Sequence, residues 1–230
     1  MQKQFPMTNQ ESRTYVREQN TVLRNTYLLL AISMIPTVLG ALLGVQMGFS
    51  FFPGRPMMSV LMFLGIAFGF MWGIERTKNS GMGVVLLLGF TFFMGLMLSN
   101  ILQVALQFSN GGALIATAAG GTGAIFFTLA GIATVSKKDF SFMGRFLFVG
   151  LVVVFLAAIA NVFFQIPLLS VTVSAAAVLL FSAYILFDIS RIVNGGETNY
   201  IAATLAVYLD IYNIFVNLLN LLMIFTGRRD

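Results

Sequence analysis

The run IAATLAVYLDIYNIFVNLLNLLMIF, residues 201–225, decides the class of fold. It is apolar for longer than the roughly 20 residues a helix needs to cross a hydrocarbon core, and only one charge, Asp210, interrupts it. Asp210, Asn213, Asn217 and Asn220 fall at i, i+3, i+7 and i+10, which on a helix is one face. Thr204, Tyr208 and Tyr212 make a neighbouring stripe at steps of four. Polar groups facing lipid are costly, so a spanning helix turns such a face toward protein or toward a water-filled path. This segment is therefore expected at the centre of an all-α bundle, surrounded by the other helices.

The rest of the chain supplies those surroundings. Its 230 residues hold 13 Lys and Arg and 8 Asp and Glu, so 9% are charged and 58% hydrophobic. An ordinary soluble domain is about 25% charged, and so few charges cannot coat a water-exposed surface. Mean hydropathy is +0.92, and an integral membrane protein follows. There is no Cys and no His. Thiol nucleophiles, disulfides, iron–sulfur clusters, His-based triads and His metal sites are excluded, and no resident cofactor is expected. The net charge of +5 does not point to nucleic acid, because the bases sit at segment ends.

Uncharged stretches divide into spans. Tyr27 to Gly48 is the first and Pro56 to Ile74 the second. Asn79 to Ser136 is double-length and breaks at Ser109-Asn110-Gly111-Gly112, a turn signal. Phe146 to Phe187 is also double-length and breaks near Gln165-Ile166-Pro167. With residues 201–225 the count is seven. Continuous apolar runs, not alternating ones, exclude membrane strands. Residues 1–26 read as a polar, unstructured cytosolic tail without signal-peptide features, residues 27–225 as the bundle and 226–230 as a short C-terminal tail. Bases tend to stay on the cytoplasmic side. With the N-terminus inside, that side holds Lys3, Arg13, Arg17, Arg24, Arg76, Lys78, Lys137, Lys138, Arg145 and Arg191, and the outer loops hold Arg55. Arg228 and Arg229 fall outside after seven full crossings, whereas a re-entrant last segment would place them inside.

Small residues recur at steps of four in Gly40, Gly44 and Gly48, in Gly65, Gly69 and Gly73, and in Gly112, Ala116, Gly120 and Ala124. Such stripes let membrane helices approach closely, and all three are expected to pack within the bundle. Gly120-Gly121-Thr122-Gly123 lies in an apolar helix without a nearby Lys, so it is no phosphate loop.

Asp188 and Asp210 are the two acids inside apolar segments. An inward-facing hairpin of segments six and seven places both toward the inner half. Two nearby carboxylates in a poorly solvated site cannot both ionise easily and share a proton. Such a pair is a pH-sensing, ion-gating candidate whose deprotonated form offers hard oxygens suited to Ca²⁺. A plainer reading pairs Asp188 with Arg191 at i+3 and lets Asp210 hydrogen-bond to Asn or Tyr. Asn213, Asn217, Asn220, Tyr208 and Tyr212 likewise read either as a polar pathway or as a hydrogen-bonded seam between helices.

Three further stretches carry a resemblance. Phe187-Asp188-Ile189-Ser190, Gly195-Gly196-Glu197-Thr198-Asn199-Tyr200-Ile201 and Tyr208-Leu209-Asp210-Ile211-Tyr212-Asn213-Ile214-Phe215 resemble the Bax inhibitor-1 (transmembrane Bax inhibitor motif) family. The likeness extends through Leu23-Arg24-Asn25-Thr26-Tyr27, Gly120-Gly121-Thr122 and Lys137-Lys138-Asp139-Phe140-Ser141-Phe142, where it looks most like the bacterial YccA-like branch. The family implies seven helices with the last one central and a pH-sensitive Ca²⁺ leak at an Asp pair, here Asp188 and Asp210. The branch often departs at these acids. It implies instead an inner-membrane modulator that binds the AAA protease FtsH and restrains its degradation of membrane proteins. Neither role is enzymatic, and the Gly-x-Gly-Asp context of aspartyl intramembrane proteases is absent.

Overall fold

The computed structural model of the chain describes residues 9–51, 54–136 and 138–227. Its helices are α1 (Asn9–Met47), α2 (Pro56–Thr77), α3 (Gly81–Ala105), α4 (Gly111–Ser136), α5 (Gly144–Phe164), α6 (Pro167–Val193) and α7 (Tyr200–Thr226), with one 3₁₀ turn at Ser141–Met143. Seven stretches on these helices are long and apolar enough to cross a membrane, from Gln19–Met47 to Tyr200–Thr226. The chain is an all-α, multispanning membrane protein. Lys3, Lys137, Arg228 and Arg229 lie outside the described residues.

The two double-length stretches break where turn chemistry requires. Between α3 and α4 the Gly111 amide bonds to the Phe108 carbonyl at 3.0 Å, and a Cβ at Gly111 would strike the Ala105 carbonyl. Between α5 and α6, Gln165 takes the left-handed conformation, with φ of 49°. The Asn161 side chain accepts from the Ile166 amide at 3.0 Å, and Pro167 opens α6 with the φ a first turn needs. Asn161 thus serves the turn.

The first helix departs from expectation. It begins at Asn9, so most of the stretch read as an unstructured tail is helical; residues 1–8 lie outside the described residues. No Gly or Pro occurs between Asn9 and Ile35 to end a helix. Polarity there marks contact with water, not loss of structure. The 39 residues of α1 make a rod of roughly 58 Å, about twice the hydrocarbon thickness.

From Ile201 to Ile224 no residue of α7 is exposed. This helix packs on α1, α2, α3, α4 and α6, while α5 packs mainly on α6. Phe146, Phe148 and Phe163 of α5 are exposed, as suits a helix against lipid. The α7 helix is unbroken through Thr226 and as long as α6, consistent with a full crossing.

Of the three small-residue stripes, the α1 stripe packs at Gly40 and Gly44, while Gly48 lies just past the helix end with nothing within 4 Å. A Cβ at Gly40 would strike the Phe92 carbonyl, one at Gly44 the Ser99 side chain, and one at Gly95 of α3 the Thr37 carbonyl. Helices α1 and α3 therefore meet backbone to backbone. The α4 stripe and most of the α2 stripe face outward: Cβ atoms at Gly65, Gly69, Gly112 and Gly120 would meet nothing within 4 Å, whereas one at Gly73 would meet the Leu86 side chain of α3 at 3.3 Å. A step of four places residues on one helix face but does not say which way that face turns. Gly95→Ala is expected to destabilise the bundle by roughly 1–3 kcal/mol through overpacking, while Gly65→Ala is expected to be neutral or slightly stabilising. Unfolding midpoints in mixed detergent measure both.

Candidate functional site at the α6–α7 hairpin

The turn from α6 to α7 is built by the run Gly195 to Asn199. Gly195 has φ of +76°, a backbone conformation that L side chains rarely adopt. The Gly196 amide returns to the Arg191 carbonyl at 2.7 Å and closes the end of α6. Asn199 is the N-cap of α7, its Oδ1 accepting from the Ile201 and Ala202 amides at 3.0 Å each. The two helices return side by side, and their acids meet.

Asp210 is 4% exposed, and its Oδ2 has no hydrogen-bond partner among the described residues. The half-buried Asp188 carboxyl of α6 lies close enough for the two charges to act on each other, despite the different depths of the two residues along their helices. Tyr184, one turn before Asp188, lies within reach of both charges. Arg191 forms no ion pair with Asp188 among the described residues. It sits 3.8 Å from Glu197, donates to the Gly196 carbonyl at 3.3 Å and lies over the Phe187 ring at 5.5 Å. The i+3 spacing puts Arg191 on the right face, but the turn offers it a nearer carboxylate. No group of three or more acidic, Cys or His side chains gathers among the described residues, so any cation here meets two carboxylates.

The rest of the α7 polar face is bonded to protein. The Tyr208 hydroxyl lies 2.9 Å from the Thr37 hydroxyl of α1 and donates to the Thr91 carbonyl of α3 at 3.4 Å. Thr204 donates to the Tyr200 carbonyl at 2.6 Å and reaches the Thr26 carbonyl of α1 at 3.4 Å. Asn220 bonds to Ser174 of α6 at 2.9 Å. Asn213 and Asn217 each donate to a carbonyl one turn back, at 2.8 Å. Tyr212 stacks near Tyr208 with 6.2 Å between ring centres and lines an apolar cavity of about 570 Å³. Of these residues Tyr208 and Asn220 tie α7 to its neighbours, while Asn213 and Asn217 bond back along α7 itself.

Two polar clamps on the same side were not anticipated from sequence. Asn199 Nδ2 donates to the Lys78 carbonyl at 2.9 Å and to Asn79 Oδ1 at 2.8 Å, tying the α2–α3 turn to the start of α7. Ser190, fully buried, accepts from the Phe140 amide at 2.9 Å and donates to the Lys138 carbonyl at 3.0 Å. Asn194 adds a bond to the same carbonyl at 3.3 Å. Beside this clamp, hydrogen bonds from Ser141 hold the Asp139 carboxyl below its usual range. An Asn just ahead of an apolar run was a legible cap signal; its long-range donors were not.

The sequence pattern of the family described as "Inhibitor of apoptosis-promoting Bax1" matches residues 19–227. A membrane protein of Vibrio cholerae is 40% identical over 224 residues, 97% of each chain. The "Modulator of FtsH protease YccA" of Escherichia coli K12 is 36% identical over 216 residues, 94% of this chain and 95% of the other. The same identity and coverage hold for the "Inner membrane protein YccA" of Escherichia coli O6:H1.

Asn199→Ala is expected to lower bundle stability by roughly 1–3 kcal/mol, since it removes a cap and two crossing hydrogen bonds. Asn199→Asp should lose less, because it keeps the cap acceptor and forfeits only the donors. Thermal unfolding in detergent ranks the three proteins.

Proposed function

The chain belongs to the Bax inhibitor-1 family, and within it we propose that the protein modulates a membrane-bound AAA protease of the FtsH type, restraining its action on membrane proteins in the bacterial inner membrane. The observation that carries this reading is the 36% identity, over nearly the whole of both chains, to a protein named for that role. The reading is of a regulator and not of an enzyme. A cytoplasmic N-terminus is supported by the bases: Arg24, Arg76, Lys78, Lys138, Arg145 and Arg191 share its side of the seven-helix path while Arg55 lies on the other.

The structure suggests how restraint would work. A pulling protease needs a segment to grip, and residues 1–18 precede the first apolar stretch. Force on that segment enters α1. The backbone contact at Gly40 and Gly95 shares it with α3, and Thr37 and Thr26 share it with α7 through Tyr208 and Thr204. Extracting α1 therefore means breaking three helices apart at once, and the protease stays occupied.

A second reading, a pH-sensitive Ca²⁺ leak, is favoured by buried Asp210, whose Oδ2 has no partner among the described residues, together with the half-buried Asp188 facing it across the hairpin. Loss of a shared proton sets the carboxylates repelling and offers oxygen ligands to a cation. A resident Ca²⁺ takes six to eight oxygens, so two carboxylates suit transit better than storage.

Detergent extracts of native membranes are expected to yield the protease with the tagged protein. Deleting residues 2–18 should lengthen the protein's lifetime at least severalfold and relieve inhibition of a membrane substrate's degradation. No co-purifying protease, with turnover unchanged by the deletion, would sink the first reading. For the second, liposomes holding the protein should pass Ca²⁺ faster as pH rises, and Asp188→Asn or Asp210→Asn should flatten that dependence. Superimposable flux curves for all three would end it.

A further inference from the structure

Helices α1 and α4 each pack on α3, α6 and α7, and an open groove lies between them. It consists of two cavities of about 570 and 630 Å³ that share Met34, Thr122, Gly123 and Ile211, so α7 forms its floor. Along α1 the lining runs from Tyr27 to Val45, roughly 27 Å at 1.5 Å per residue, close to the full hydrocarbon depth. The α4 wall is low, because Cβ atoms at Gly123 and Gly131 would meet nothing within 4 Å.

The groove is apolar within but basic at one end. Arg24 stands three residues before Tyr27 on α1, hence on the same helix face, and Lys138 stands three residues after Val135, the last lining residue of α4. Both are exposed. The ion pairs among the described residues are Lys78–Glu75 and Arg191–Glu197, so neither base is used in one. The neighbouring Asp139 carboxylate is engaged by the Ser141 amide at 2.8 Å. Among the described residues no base flanks the opposite end of the groove: Arg55 precedes α2, which does not line it.

We propose that the groove holds one anionic glycerophospholipid from the leaflet on the N-terminal side, its phosphate between Arg24 and Lys138 and an acyl chain in the half lined by Tyr27, Phe126 and Gly131. Basic pockets at the ends of membrane helices attract such headgroups, and two exposed bases, Arg24 and Lys138, at the mouth of an apolar groove match a molecule with a charged head and apolar chains.

Native mass spectrometry of the full-length protein, released from detergent with phosphatidylglycerol or phosphatidylcholine of identical chains, tests this. One phosphatidylglycerol is expected to be retained with a preference on the order of tenfold over phosphatidylcholine. Combining Arg24→Gln with Lys138→Gln should bring the ratio to about one. Gly131→Leu fills open space, so the fold should tolerate it, and it should reduce retention of both lipids. Millimolar inorganic phosphate should leave the bound lipid in place. Equal retention of the two lipids by the unaltered protein would overturn the proposal, as would variants indistinguishable from it. Displacement by phosphate would indicate a bare anion site, and a dimer without lipid would indicate a second copy in the groove; either result also overturns it.

Discussion

Hydrocarbon offers no hydrogen bonds, and this bundle is arranged around that constraint. A helix bearing Asp210, three asparagines and two tyrosines along adjoining stripes has no stable place at the lipid boundary. It is therefore enclosed, and the positions of its neighbours follow from the partners its polar atoms need. Tyr208 draws in α1 and α3, Thr204 reaches α1, and Asn220 holds α6. In a soluble protein the core is what water rejects; here the centre is what lipid rejects, and the apolar side chains are free to face outward. Leu28, Phe68, Phe127 and Leu179 are all exposed for that reason.

Much of this was legible in the residues. Helix number, turn positions and the enclosure of α7 rest on length, charge gaps and a 3.6-residue period, all local properties. Two things were not legible. The outward turn of the Gly65 and Gly112 stripes depends on which neighbour lies beside each helix, and a single helix's sequence does not hold that information. The helical state of residues 9–26 was hidden for another reason: the search followed apolar length, and a helix that leaves the membrane keeps its backbone while losing its apolarity. At the candidate site, Asp188 and Asp210 stood out because charges are rare in apolar runs. Ser190, Asn194 and Asn199 did not, because their partners lie about 50 to 121 residues away.

Those three residues give the acid pair a setting. Ser190 and Asn194 follow Asp188 within two turns, and they fasten the α4–α5 connection to the end of α6. Asn199 fastens the α2–α3 turn to the start of α7. Connections that would otherwise move independently are thus tied to the hairpin carrying both carboxyls. A change in the spacing of Asp188 and Asp210 is a change in the spacing of α6 and α7, and it bears directly on both clamps.

The contact between α1 and α3 has a mechanical meaning. Where backbones touch, no flexible side chain lies between them to yield, so the two helices behave as one stiff beam. Elsewhere the spacing is set by the ends of side chains: Gly121 of α4 faces Leu218 of α7, and Gly150 of α5 faces Leu180 of α6. A leucine can change rotamer and let its neighbour slide, whereas a carbonyl cannot. The molecule thus divides into a keel of α1 and α3 and an adjustable flank of α4, α5 and α6, with α7 as the spine between them.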